Sequence, residues 1–281
     1  MEMVVLPESL AGLWEACRRF PAAVFSAGGT DLLVQLRAGR RPEPEVLIGL
    51  KRVPELREIT VCEAEVAIGA AATQAEIVSR LAAGSELPLL VAALGHIGSP
   101  QIRNMGTLGG NLVTASPAGD SLPALYLYDA EVELWRPDGK RRIKVAEFIT
   151  GPGRTGLAAG EIVGRILLPR AFRWSGHYFE KVGLRRALAI AVVSLAALWR
   201  LDGEGRVAEM RLAWGSLGPT IVRLPEVEDF LLGKPLSRES LAAAGVLVRE
   251  RVRPIDDIRA SAAYRREVAA RLLLRLAQID R

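Results

Sequence analysis

Two short stretches of this chain place paired glycines among hydroxyl and carboxyl side chains. The first is Ser26-Ala27-Gly28-Gly29-Thr30-Asp31-Leu32. The second is Thr107-Leu108-Gly109-Gly110-Asn111, followed by Thr114-Ala115-Ser116-Pro117 and Asp120. A glycine has no Cβ, so its backbone N–H can come close to a bound anion. A helix starting just after such a turn adds positive potential at the same place. Thr107, Asn111, Thr114 and Ser116 add side-chain donors, and Asp120 can accept from a ribose hydroxyl. Two such loops from different parts of one chain predict a clamp on a pyrophosphate. Neither has GxGxxG spacing or a Walker lysine, so neither a Rossmann nor a P-loop reading is licensed. Each loop alone also has a plainer reading: a tight strand–helix turn for the first, a polar surface loop for the second.

Other chemistry is bounded by what the chain lacks. Cys17 and Cys62 are the only cysteines, and His96 and His177 the only histidines. With no CxxC, cysteines of this chain build neither an iron–sulfur cluster nor a structural zinc, and no metal site is expected. His96 ends an apolar helix and reads as a packed or hydrogen-bonded histidine. His177 precedes an aromatic pair and lies near Lys181. Neither glycine loop has a His or Cys to tether a cofactor covalently.

The elements that must position these loops follow from periodicity and capping. Met3 to Leu6, Ala23 to Phe25 and Val46 to Leu50 read as strands around a helix at Leu10–Phe20, capped by Ser9, and a second at Leu32–Ala38. This is a βαβαβ unit closing near Lys51. Ile59 to Val61 and Val66 to Ala70 predict a hairpin, and Thr73 caps a helix over Gln74–Leu81. Pro88 to His96 and Leu122 to Leu127 read as apolar helices, with the polar, Gly-rich stretch Gly98–Asp120 between them. Glu131 to Trp135 alternates as a strand and turns at Asp138-Gly139 into Arg142 to Val145. Ile162 to Leu168 is a further strand. Beyond Arg170, Ala187–Leu201 and Arg206–Trp214 read as hairpin strands, with a buried helix as the rival for the first. Three helices follow, at Val227–Leu232, Arg238–Arg251 and Ala262–Leu276. A sheet followed by three helices predicts a separate α+β domain.

Composition agrees with an ordinary globular chain of 281 residues, half of them apolar and a quarter charged. The 37 Lys and Arg against 32 Asp and Glu leave a charge of +5. The arginines are scattered beside acids, which reads as a solvated surface rather than a nucleic-acid footprint. The longest uncharged apolar run, Ala187–Trp199, is shorter than the about 20 residues that span a bilayer. Met1 to Val4 precedes no secretory pattern, and a cytoplasmic location is expected.

Taken together, Ala27-Gly28-Gly29-Thr30-Asp31, the run Ser99-Pro100-Gln101-Ile102-Arg103-Asn104-Met105-Gly106-Thr107-Leu108-Gly109-Gly110-Asn111 and Ser116-Pro117-Ala118-Gly119-Asp120 resemble the FAD-binding medium subunit of the molybdenum hydroxylases, the carbon monoxide dehydrogenase and xanthine dehydrogenase family. The resemblance covers essentially the whole chain. Glu180-Lys181-Val182 with Arg185-Arg186 is similar to the family's lysine motif.

The resemblance implies an α+β fold. A two-subdomain FAD-binding domain of the p-cresol methylhydroxylase/vanillyl-alcohol oxidase type would span 1–170, divided at about 55. A C-terminal α+β domain of the carbon monoxide dehydrogenase type, an antiparallel sheet with three helices, would span 171–281. It implies that Ala27, Gly28, Gly29, Thr30, Asp31 and Leu32 hold the FAD pyrophosphate together with Thr107, Leu108, Gly109, Gly110 and Asn111. Thr114 and Asp120 match further polar contacts, Val163 an apolar residue whose backbone lies against the flavin, and Lys181 an FAD-contacting lysine. Ile97 stands where xanthine dehydrogenases have an aromatic, which removes a stacking ring. The FAD would be non-covalent and no residue of this chain catalytic. Molybdopterin and [2Fe–2S] clusters would sit on a large and a small partner subunit. NAD+, a quinone or another acceptor would take the electrons, and the substrate pocket would lie on another chain. The alternatives are a stand-alone FAD-dependent reductase of the enolpyruvyl-UDP-N-acetylglucosamine reductase type and, from another class, a basic binding module.

Overall fold

The computed structural model of the chain describes residues 2–170, 174–185 and 188–278. Arg186, in the lysine motif, and Ala187, which opens the long apolar run, lie outside the described residues. The chain divides into two compact units. The first holds the described residues of Met1–Gly84, Gly98–Ala115 and Ala130–Arg170. The second holds those of Ser85–Ile97, Ser116–Asp129 and Ala171–Arg281.

The first unit opens with β1 (Met3–Val5), α1 (Leu10–Arg19), β2 (Val24–Ser26), α2 (Leu32–Arg37) and β3 (Val46–Gly49). The strands form a parallel sheet in the order β1-β3-β2, the expected βαβαβ unit. Ser9 caps α1 by accepting from the Gly12 N–H, and the buried Leu13 and Ala16 of α1 pack with Ile48. Next come β4 (Ile59–Val61), β5 (Glu65–Gly69) and α3 (Gln74–Ala83). Thr73 and Glu76 cap α3 reciprocally, the capping box that satisfies two orphan donors. The chain then leaves this unit for α4 (Pro88–Gly95), returns for α5 (Pro100–Met105) and α6 (Leu108–Thr114), and leaves again for α7 (Ser121–Leu127).

Back in the first unit, β6 (Glu131–Arg136), β7 (Gly139–Lys144), α8 (Val145–Phe148), β8 (Ile149–Gly151), β9 (Arg154–Thr155) and β10 (Ile162–Pro169) complete it. The larger sheet runs β4-β5-β10-β6-β7 and is antiparallel throughout. Its register shifts between Val163 and Arg165. The cause is steric: a Cβ on Gly164 would lie 2.2 Å from the Trp135 ring, so β10 gives up a side chain where the indole crosses it.

The second unit is built on β11 (Gly176–Val182), β12 (Val193–Leu201), β13 (Val207–Gly215) and the short β14 (Val222–Arg223), antiparallel in that order. Of the expected strand over Ala187–Leu201, Val193–Leu201 is β12, as its β-branched content favours, while Leu188 to Val192 lie outside any strand or helix. α9 (Pro225–Leu231), α10 (Arg238–Arg251) and α11 (Ala262–Leu272) follow, and a 3-10 turn over Leu273–Gln278 extends the last. Their apolar faces meet Leu195, Ala197, Trp199, Leu212 and Trp214 of the sheet in one core. The buried Arg265 ties α11 to this layer, donating to the carbonyls of Val192 and Ser216 and to Asp257. The α+β architecture is as expected. The departure is that α4 and α7 pack with β11, β12 and β13, so two excursions from the N-terminal part of the chain complete the second unit. Among the described residues no helix is long and apolar enough to cross a membrane.

Candidate functional site

The first glycine loop leaves β2 and enters α2 with its donors open. Among the described residues, none accepts a hydrogen bond from the backbone N–H groups of Gly28, Gly29, Thr30 or Asp31. Gly29 has φ +71°, which turns its peptide the opposite way from its neighbours and suits only glycine without strain. Gly28 serves a different end. A Cβ there would lie 2.0 Å from the Met105 carbonyl oxygen, so this glycine lets the loop lie against the end of α5. Asp31 accepts from the Thr114 hydroxyl at 3.1 Å and the Gln35 amide at 2.6 Å, tying the loop to the last residue of α6. Thr30 reaches the same junction, its hydroxyl oxygen 3.2 Å from where a Cβ on Gly106 would stand. Ala27 and Leu32 flank the turn, both half-buried.

The second glycine stretch is a helix, not an open loop. Thr107 caps α6 by accepting from the Gly110 N–H at 3.0 Å. The Asn111 N–H goes to the Thr107 carbonyl and the Gly109 N–H to Ala70. The expected supply of free backbone donors is thus spent inside the protein along this segment. The physical reason is that Thr107 is a good N-cap, and a capped helix consumes the N–H groups an anion would otherwise use. Here too the glycines divide the work. A Cβ on Gly109 would lie 2.6 Å from the Ala70 carbonyl oxygen, whereas one on Gly110 would meet only the Thr107 hydroxyl, and Gly110 is exposed. Leu108 is buried and anchors the helix; Val163 is buried on β10 beside the register shift. The two glycine stretches are therefore brought together within the first unit, through Gly28 on Met105 and Asp31 on Thr114.

Ile97, Asp120 and Lys181 belong to the second unit. The Lys181 ammonium donates to Asp120 at 2.6 Å and to the His96 carbonyl at 2.6 Å. Both side chains of this ion pair are about nine-tenths buried. Burial pushes the Asp120 carboxyl up to about 6, although Lys181 pulls the other way. Its Oδ1 is buried with no hydrogen-bond partner. Lys181 and Asp120, singled out separately in the sequence, are one device, and Glu180 points to the other face of β11. The His96 ring packs edge-on against Phe179 at 5.4 Å, the packed role expected of it. Ile97 is half-buried.

Sequence reasoning missed two partners. The His96 carbonyl is a backbone acceptor with no residue-type signal. Gln74 is 3% exposed, receives no notice as the first residue of a helix, yet its N–H bonds the Gly106 carbonyl and holds the entry to α6. Among the described residues no His, Cys, Asp and Glu cluster could hold a metal ion.

A family model described as the FAD binding domain in molybdopterin dehydrogenase matches residues 1–171, and one described as the CO dehydrogenase flavoprotein C-terminal domain matches 177–279. The nicotinate dehydrogenase FAD-subunit of Eubacterium barkeri is 34% identical, over 92% of this chain and 88% of its own. The carbon monoxide dehydrogenase medium chain of Hydrogenophaga pseudoflava is 32% identical, over 90% and 87%. Among solved structures, quinoline 2-oxidoreductase from Pseudomonas putida 86 superposes with a TM-score of 0.91 at 28% identity, over 99% of this chain and 96% of that one. This chain belongs to the FAD-binding medium subunits of the molybdenum hydroxylases, oxidoreductases whose flavoprotein part is a separate subunit. That placement decides against the stand-alone reductase and the basic binding module. Its cofactor is FAD. The residues fit it: four adjacent free N–H groups at a left-handed glycine turn suit a diphosphate, and the exposed face of Gly110 leaves room for one.

Proposed function

We infer that this chain is the electron-transferring flavoprotein subunit of a cytoplasmic complex. It would receive electrons that leave a molybdenum centre on a large subunit and pass [2Fe–2S] clusters on a small one. It would deliver them to NAD+, a quinone or another acceptor. The bound FAD supplies a carrier that takes up and releases two electrons. The protein supplies position and electrostatics. Gly28 to Asp31 would donate their open N–H groups to the diphosphate, with Ala27, Leu32 and the Thr107–Asn111 face of α6 shaping its bed. Thr114, through Asp31, holds that bed in place. Asp120, Lys181, Ile97 and the backbone at Val163 would meet the remainder of the cofactor. We assign the FAD domain to 1–170 and the C-terminal domain to 171–281, with α4 and α7 lent to the latter.

The observation that carries this reading is the row of free N–H groups at Gly28–Asp31 in a chain that matches the family along both parts. Neither glycine stretch has a His or Cys to tether a flavin, and the cofactor would be held non-covalently. Acid precipitation of the purified protein tests it: all the yellow colour should enter the supernatant as FAD, about one per chain. Flavin on the pellet, or FMN in the extract, overturns it.

A further inference from the structure

The second unit carries a cleft of about 700 Å³ that the flavin reading does not use. One wall is a single face of α11 and the turn after it: Tyr264, Val268, Arg271, Leu272 and Arg275 recur at helical spacing and all line it. Arg238, in the first turn of α10, and Glu180 and Val182 of β11 complete it. Among the described residues β11 pairs only with β12, so the cleft lies along a sheet edge. Residues 180 and 182 point away from Lys181, whose side chain alternates to the other face.

The rim holds three guanidinium groups against one carboxylate. Glu180 is already engaged by the Tyr178 hydroxyl and lies 3.5 Å from the Arg275 Nε. The Arg271 Nε is bonded to Glu267. Among the described residues Arg238 makes no hydrogen bond or ion pair, and beyond these Nε contacts the guanidinium groups of Arg271 and Arg275 make no further hydrogen bond. These are fork-shaped donors that suit phosphate oxygens in pairs. Tyr264, 52% exposed, lines the same cleft together with the apolar Val268 and Leu272. An open aromatic ring next to unspent guanidinium forks matches a ligand with a flat ring at one end and phosphates at the other. The volume falls within the range of small-molecule sites, roughly 300–1,000 Å³.

We propose that this cleft binds a nucleoside phosphate, with its phosphates on Arg238, Arg271 and Arg275 and its base against Tyr264. The site is separate from the FAD site, and the proposal stands whether or not the chain works as an electron carrier.

The test is calorimetric titration of ADP, and separately of inorganic pyrophosphate, into the FAD-loaded protein, with flavin content measured first by absorbance. Cofactor in place keeps ADP out of the flavin's own nucleotide subsite. ADP should bind, and pyrophosphate should bind more weakly. Arg271→Gln and Arg275→Gln should each weaken both by about tenfold, the worth of a charge-assisted hydrogen bond. Tyr264→Ala should weaken ADP and leave pyrophosphate unchanged. Flavin content and circular dichroism should match wild type in all three variants. ADP that binds only FAD-free protein occupies the flavin site and overturns the proposal while supporting the FAD reading. Unchanged binding in both arginine variants overturns it too. Equal affinity for ADP and pyrophosphate, indifferent to Tyr264, overturns the nucleoside assignment.

Discussion

At the scale of single residues, the Lys181–Asp120 pair sets the sharpest expectations. Two buried charges 2.6 Å apart depend on each other, because removing one leaves the other without compensation. Asp120→Asn should destabilise the protein by about 3–5 kcal/mol and Lys181→Met by a similar amount. The double variant should recover most of the loss, and urea titrations of all four proteins form the cycle that measures it. The pH dependence has a definite sign. The Asp120 carboxyl is raised from 3.8 to about 6, so between those values the folded chain holds a proton that the unfolded one releases. Its contribution to stability therefore falls as pH rises from about 4 to about 6. Glu161 and Glu267 act oppositely. Arg141 holds the first at about 2, and Arg249 with Arg271 the second, so their contribution is present above the ordinary glutamate value and lost as pH falls. The difference between wild type and Asp120→Asn, measured across pH 4–7, isolates the first effect from these. Lys181→Met in the flavin-loaded chain should also lower the midpoint potential by some tens of millivolts, since a lost cation disfavours the anionic reduced flavin and about 30 mV corresponds to 1.4 kcal/mol. Spectroelectrochemical titration reads it.

At the scale of elements, the paired glycines separate packing from binding. In each pair one member accommodates the protein's own backbone: Gly28 against Met105 and Gly109 against Ala70. The other members, Gly29 and Gly110, have no such backbone neighbour. Gly28→Ala should cost about 1–3 kcal/mol of stability, because the loop or α5 must shift to admit a Cβ. Gly110→Val should change stability by less than that, because Gly110 sits on the exposed side of α6, and should instead abolish FAD retention. Thermal unfolding with flavin quantification distinguishes the two outcomes. The same elements show what local sequence reveals. Ser9 and Thr73 cap the helices read from their types and spacing, and in the structure Ser237 and Ser261 cap α10 and α11 in the same way. The stretch 98–120 was less legible: α5 and α6 have six and seven residues, too short for hydrophobic periodicity to rise above glycine's helix-breaking tendency. Thr107 and Ser99, both caps in the structure, were the available signal.

At the scale of the whole molecule, the chain should be an incomplete enzyme. Its flavin should bleach with dithionite and stay oxidised with a purine, an aldehyde or carbon monoxide. Such substrates need an oxo-metal centre, and two cysteines cannot supply the ligands of the clusters that would relay their electrons. Adding the large and small subunits should restore substrate-driven bleaching, followed at the flavin absorbance band.

The sequence by itself determined the family, the α+β architecture, most helix starts and the identity of the two glycine stretches. These follow from residue types and short spacings that a linear reading contains. Only the tertiary structure decided that Lys181 belongs to Asp120, 61 residues away. It also decided that α4 and α7 pack on the second sheet, and that Met105 is what leaves no room for a side chain at Gly28. Each of these depends on where separate elements come to rest. A helix's period shows which of its faces is apolar, but the partner for that face is chosen by the packing of the whole core.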